Sequence, residues 1–156
     1  MFTPLITAPP VERVRAILLT GDDTLLMIKR VKPHRPDEPY WVAPGGGVEA
    51  HDGDLYGALH RELCEELGAV FRVVRRAFVL SHVKKGKPLQ EHFFVCTLEG
   101  YDLTLRTGPE FSDPTRGEYL PYDVPLYAPS IARLNFKTPE LQSWLLRHLD
   151  ALRTLQ

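Results

Sequence analysis

Cysteine is scarce in this chain. Cys64 and Cys96 are the only two in 156 residues, they stand far apart, and they form no CxxC spacing. That argues against a disulfide framework or a thiolate zinc site and for a reducing cytoplasm. An excess of one charge is missing too: 19 basic and 20 acidic residues leave a formal net charge of -1. Bulk attraction to nucleic acid or to a membrane surface is therefore not expected, although a local basic patch around phosphates is compatible with such a balance. No run approaches the roughly 18 apolar residues of a membrane span. The segment Met1–Pro10 has neither a basic start nor a long apolar stretch, so it reads as an irregular arm rather than a signal peptide. The expectation is a soluble cytoplasmic protein with no stable nucleic-acid complex.

What is present is ordinary globular material. Apolar residues make up 44% and charged residues 25% of the chain, enough for one hydrophobic core and one domain over 1–156. Val11–Thr20 is rich in Val, Ile and Leu, breaks at Gly21-Asp22-Asp23, and is followed by a second apolar run over Thr24–Arg30, which predicts a hairpin. Three prolines within Val31–Pro39 predict a loop, and Tyr40–Ala43 a short strand stopped by Pro44 and three glycines. Leu55, Leu59, Leu63 and Leu67 recur every four positions and end at Gly68, which predicts a helix over Asp54–Leu67. Strands are expected over Phe71–Val83 and Glu91–Leu98, joined by a basic turn at Lys84–Pro88, with a long surface loop over Asp102–Arg116. Thr138 as N-cap and Pro139 at the first helical position open a terminal helix with Leu141, Leu145 and Leu149 as its stripe. Strands mixed with two separate helices predict an α/β fold, a mixed sheet covered by helices on both faces.

The informative segment is Pro44–Ala69. Glu62, Glu65 and Glu66 stand at i, i+3 and i+4, within about a 100° arc of one helix face, beside the leucine stripe. Three clustered carboxylates call for a positive partner, and a hard divalent cation suits them. Gly45-Gly46-Gly47, just upstream, lets backbone approach the same place. The ending Arg61-Glu62-Leu63-Cys64-Glu65-Glu66-Leu67-Gly68, preceded by Pro44-Gly45-Gly46-Gly47-Val48-Glu49, resembles the Nudix box, G-x5-E-x7-R-E-U-x-E-E-x-G-U with U a bulky apolar residue. Two positions depart from it. The isolated box glutamate falls on Gly53 when counted back from Arg61 and on Asp52 when counted forward from Gly46, so Asp52 or Asp54 is expected to take its place as ion-pair partner of Arg61. The final apolar position is Ala69.

The resemblance implies a Nudix-type α/β/α sandwich. It also implies Mg²⁺-dependent hydrolysis of a diphosphate linkage in a nucleotide-like small molecule, with Mn²⁺ as a substitute ion. Glu62, Glu65 and Glu66 would ligate the metal together with backbone of Gly45 or Gly46, Glu66 being the most costly to lose, and Arg61 would orient the box. Arg30 and Lys29, ending the second strand, are candidates for substrate phosphate, and Trp41 or Tyr40 for stacking on a base. The similar proteins draw a further carboxylate from the later loop. Glu118 is the first candidate for that part, Glu110 the second, with Asp123 nearby and Glu91 an outside alternative. Similar proteins also frequently pair, so a homodimer is compatible. A Nudix domain that only binds a nucleotide or a partner is the alternative, although such domains usually carry broken metal-face glutamates and those of this chain are intact. An isomerase of the isopentenyl diphosphate type would want a cysteine near the pocket, and neither Cys64 nor Cys96 is well placed for it.

Overall fold

The computed structural model describes residues 9–155; the arm expected over 1–10 lies outside these residues except for Pro9 and Pro10. Strand β1 (Val11–Leu19) and strand β2 (Thr24–Lys32) form the expected hairpin, hydrogen-bonded only near its closed end at Leu18↔Leu26 and Leu19↔Leu25. Beyond that point the two strands take different partners. β2 continues against β3 (Arg35–Val42) on one side and β7 (Glu118–Pro125) on the other. β1 takes the short β4 (Gly45–Gly47) on one side and β6 (Lys87–Gly100), in parallel, on the other; β5 (Val70–Lys84) closes the order β3-β2-β1-β6-β5. The seam where β1 and β2 part is the cleft described below.

Alternation along the strands assigns two cores. Ile17, Leu19, Leu25, Met27, Phe93 and Val95 face one side, and Val14, Ala16, Leu18, Leu26, Ile28, Phe94 and Cys96 the other. The second face is covered by α1 (Leu55–Leu67), whose Leu59, Leu63 and Leu67 are fully buried. Asp54 caps its start by accepting the Gly57 N–H at 2.8 Å, and Gly68, at φ 56°, ends it in the left-handed conformation. The first face is covered by α2 (Ala128–Ala132), α3 (Pro139–Arg147) and α4 (Leu149–Arg153). The fold is thus the expected α/β/α sandwich around a mixed sheet.

Three local expectations are corrected. Val31–Pro39 is not a loop: β2 runs to Lys32, β3 starts at Arg35, and Pro36 and Pro39 sit in the irregular stretch of an outer strand where neither must donate to the ladder. The glycine run is not a bare loop either, since it pairs with Arg13, Val14 and Arg15 of β1. The terminal helix breaks at His148, whose ring meets the Trp144 carbonyl oxygen at 2.7 Å, so Leu149 belongs to α4; Thr138 stands at the N-cap position without a side-chain capping bond. The basic turn is as expected and tighter, with Lys85 and Gly86 both at positive φ (51° and 76°) between β5 and β6.

Candidate active site

Arg61 organises one wall of the seam. Its Nε and Nη2 grip the two oxygens of Asp52 at 2.6 and 3.0 Å, and Nη2 also donates to the Gly47 carbonyl at 2.8 Å. This decides between the two aspartates: Asp52 takes the place of the isolated box glutamate, while Asp54 caps α1. The guanidinium hydrogen-bonded to Asp52 holds its carboxyl down at about 2. The remaining Arg61 nitrogen lies 3.2 Å from Glu62 and 3.3 Å from Glu65. Glu66 turns instead to the Gly45 backbone N–H at 3.1 Å. The three glutamates therefore share one helix face without meeting at one point, and among the described residues no three acidic, histidine or cysteine side chains form a ready metal-holding group. Like charges spread over the donors at hand, Arg61 and Gly45, rather than converge.

The wall nevertheless suits a cation. Withdrawal from water pushes the Glu66 carboxyl up to about 7, and the same cause raises Glu62 against the opposing pull of Arg61. Gly46 lies against Glu62 so closely that a Cβ there would come within 2.5 Å of the carboxyl group. Two carboxyls that burial makes costly to ionise, with glycine backbone packed on them, form a donor set a hard divalent ion would satisfy.

The facing wall is basic. A cleft of about 440 Å³ brings Arg13, Arg15, Arg30, Lys32, Arg116 and Lys137 opposite Glu62, Glu66 and Glu110. Six bases against three acids favour an anionic ligand. Arg15 is braced from behind: Nε donates to Glu91 at 2.9 Å, while Nη1 reaches the Ala43 and Gly45 carbonyls at 3.2 Å. Arg30 is buried, donates to the Glu118 and Arg116 carbonyls at 2.9 Å, and stacks 3.5 Å over the Tyr119 ring. Arg106 ties the Glu66 carbonyl to that of Tyr119, at 2.7 and 2.8 Å, so α1 and β7 keep a fixed separation.

Not every candidate reaches this cleft. Glu118 opens β7 with its side chain exposed and outside the cleft lining; the loop carboxylate that lines the cleft is Glu110. Lys29 and Trp41 fall on the opposite sheet face from Arg30, where Trp41 is buried against α3 and Lys29 lies over the Trp41 and Tyr122 rings at 5.6 and 6.0 Å. Their register neighbours Arg30 and Tyr40 line the cleft instead, because successive strand residues alternate faces. Cys96 is buried, its thiol pushed up to about 12, and Cys64 is exposed on α1; neither lines the cleft. Arg13, Arg15 and Lys137 also line the cleft and stand outside the motif. Two arginines alternating within the apolar strand Val11–Leu19 were a readable signal for the first pair; nothing local marks Lys137.

The model of the NUDIX domain matches residues 9–134, and the chain belongs to this family. Among curated proteins it is similar to the U8 snoRNA-decapping enzyme of Ovis aries, 42% identical over 64 residues, which are 39% of this chain and 33% of that protein. The chain thus matches only about a third of the length of that relative. Among solved structures it resembles a NUDIX hydrolase from Nitrosomonas europaea, with TM-score 0.69, 18% identity, and coverage of 92% of this chain and 90% of the other. A C. elegans Ap4A hydrolase complex gives TM-score 0.65, 18% identity, and coverage of 94% and 99%. At such identities the structures speak for the fold alone. Among the described residues no helix is long and apolar enough to cross a membrane.

Proposed function

We propose that this chain is a metal-dependent Nudix pyrophosphohydrolase that cuts a diphosphate linkage in a nucleoside diphosphate derivative. The observation that carries the reading is the seam itself: one wall of box glutamates facing one wall of arginine and lysine, with the glycine backbone of β4 between them. Glu62 and Glu66, with Glu65 beside them and the carbonyl of Gly45 or Gly46, would hold the ion, Mg²⁺ or in its place Mn²⁺. Such an ion, when bound, neutralises phosphate charge and makes a water more acidic. The protein's own residues do the rest. Arg15 and Arg30, both fixed by carbonyl contacts, orient phosphate oxygens. Glu110 is the loop carboxylate in the cleft that can accept a proton from the attacking water. Tyr40, Phe111 and Tyr119 offer aromatic faces for a base.

The names of the relatives and structural neighbours span RNA decapping, Ap4A hydrolysis and UDP-X diphosphatase activity. All three involve a nucleotide carrying a phosphoanhydride, and that common group is the substrate class assigned to this chain. The test is a panel of such compounds incubated with Mg²⁺, with and without EDTA, and analysed for nucleoside monophosphate. Turnover that EDTA abolishes is expected. Tight nucleotide binding without product in the presence of Mg²⁺ would identify a binding domain instead.

A further inference from the structure

A smaller recess of about 100 Å³ opens off the cleft, shares Arg13, Arg15, Val42 and Lys137 with it, and is bounded further out by His82, Lys84 and Glu91. Its charge is unbalanced. Glu91 is its single acid and is already engaged by Arg15 and His82, both at 2.9 Å. Arg13, Lys84 and Lys137 have no carboxylate within ion-pair distance among the described residues. Arg13 is half-buried, and its Nε is fully enclosed without a hydrogen-bond partner. A buried donor left unmatched costs stability, and three cations crowded together add repulsion, so the arrangement calls for an anion. Partial withdrawal from water, then the charges of Lys84, Arg15, Arg13 and Lys32, bring the Lys137 ammonium down to about 8, which reports how closely these groups are gathered.

The recess is well below the roughly 300 Å³ at which pockets for whole drug-sized ligands begin. A nucleoside does not fit there, whereas a single tetrahedral oxyanion does. Neither Glu62 nor Glu66 lines it.

We propose that Arg13, Lys84 and Lys137 form a distal anion site that binds a phosphoryl group beyond the two joined by the linkage that is cut. The placement rests on the cleft being the diphosphate site. The chain would then favour substrates with an unbroken row of at least three phosphates over diphosphates ending in a neutral sugar. Only the first class offers an anion to this recess, and a sugar there would leave three cations unpaired.

Isothermal titration with inorganic tripolyphosphate and with pyrophosphate, EDTA being present to prevent cleavage, tests this directly. Wild-type protein should bind tripolyphosphate about tenfold more tightly, and Lys84→Gln with Lys137→Gln should bring the two affinities together. Lys137→Arg, which keeps the charge, should preserve the difference. Equal affinities in the wild type, or a difference that survives the double glutamine variant, would overturn the site. Adenosine triphosphate and diadenosine tetraphosphate as further titrants separate a terminal phosphate from an internal one; loss of affinity in the double variant for either supports the site, and loss for neither refutes it. Failure of the hydrolase reading shows differently: a wild-type protein that keeps the tripolyphosphate preference and hydrolyses no nucleotide in Mg²⁺ sinks the enzyme and spares the recess.

Discussion

The two walls of the seam were assembled in opposite ways. The acidic wall comes from one contiguous stretch, Asp52 through Glu66, with Arg61 at its centre and helical periodicity setting its spacing. The basic wall is gathered from β1, β2, the loop before β7 and the segment leading into α3, positions far apart in the chain. Side chains on one short helix are neighbours before the domain folds, whereas Arg15, Arg30 and Lys137 become neighbours only once β1 and β2 part. The acidic wall is therefore robust to distant change, and the basic wall depends on the sheet.

The largest effect expected is on the local wall. Glu66→Gln should fold normally and lose about a hundredfold or more of Mg²⁺-dependent turnover, measured as kcat on the best substrate found. Unchanged turnover would move the reacting centre elsewhere. Gly46→Ala and Gly47→Ala sharpen the same point. A Cβ at 46 meets the Glu62 carboxyl group at 2.5 Å and one at 47 meets nothing within 4 Å. The first variant should lose activity by about tenfold or more and the second change it little, with both melting curves near wild type. If the two behave alike, Glu62 is not held against Gly46.

On the basic wall, Arg15→Gln should raise KM about tenfold with a smaller change in kcat, since it removes a charged contact to phosphate. A kcat loss at constant KM would instead make Arg15 a support for the Gly45 carbonyl. The smallest effect concerns Asp52. Its carboxyl is lowered by Arg61 from 3.8 to about 2 in the folded chain, so its contribution to stability is fully present above pH 3.8 and disappears as pH falls towards 2. Asp52→Asn should flatten the acid-unfolding curve within that window alone. A stability difference between the two proteins that stays constant down to pH 2, or that changes only above pH 5, would contradict the ion pair.

The corrections follow the same division. Position along the chain points to Trp41 and Lys29, but strand parity sends them to the α3 side and puts Tyr40 and Arg30 in the cleft. Glu118 follows Gly117 as a loop ends, yet it pairs beside Val31, where strand parity gives the cleft to Tyr119, and Glu110 is the loop carboxylate that lines it. The prolines of Val31–Pro39 signal a loop by composition, while an outer strand tolerates them.

Sequence alone determined what a short stretch can encode: the leucine stripe of α1, its glycine stop, the glutamates along one helix face, and an aspartate near enough to pair with Arg61. Local spacing on a helix of about 3.6 residues per turn suffices for these. Tertiary structure decided which of Asp52 and Asp54 pairs, which strand residues face the cleft, and that Arg13, Lys84 and Lys137 gather around one recess. The first outcome turns on Asp54 being taken up as the cap of α1, whereas the other two hang on long-range strand pairing, in which shifting a register by one residue turns every side chain to the other face.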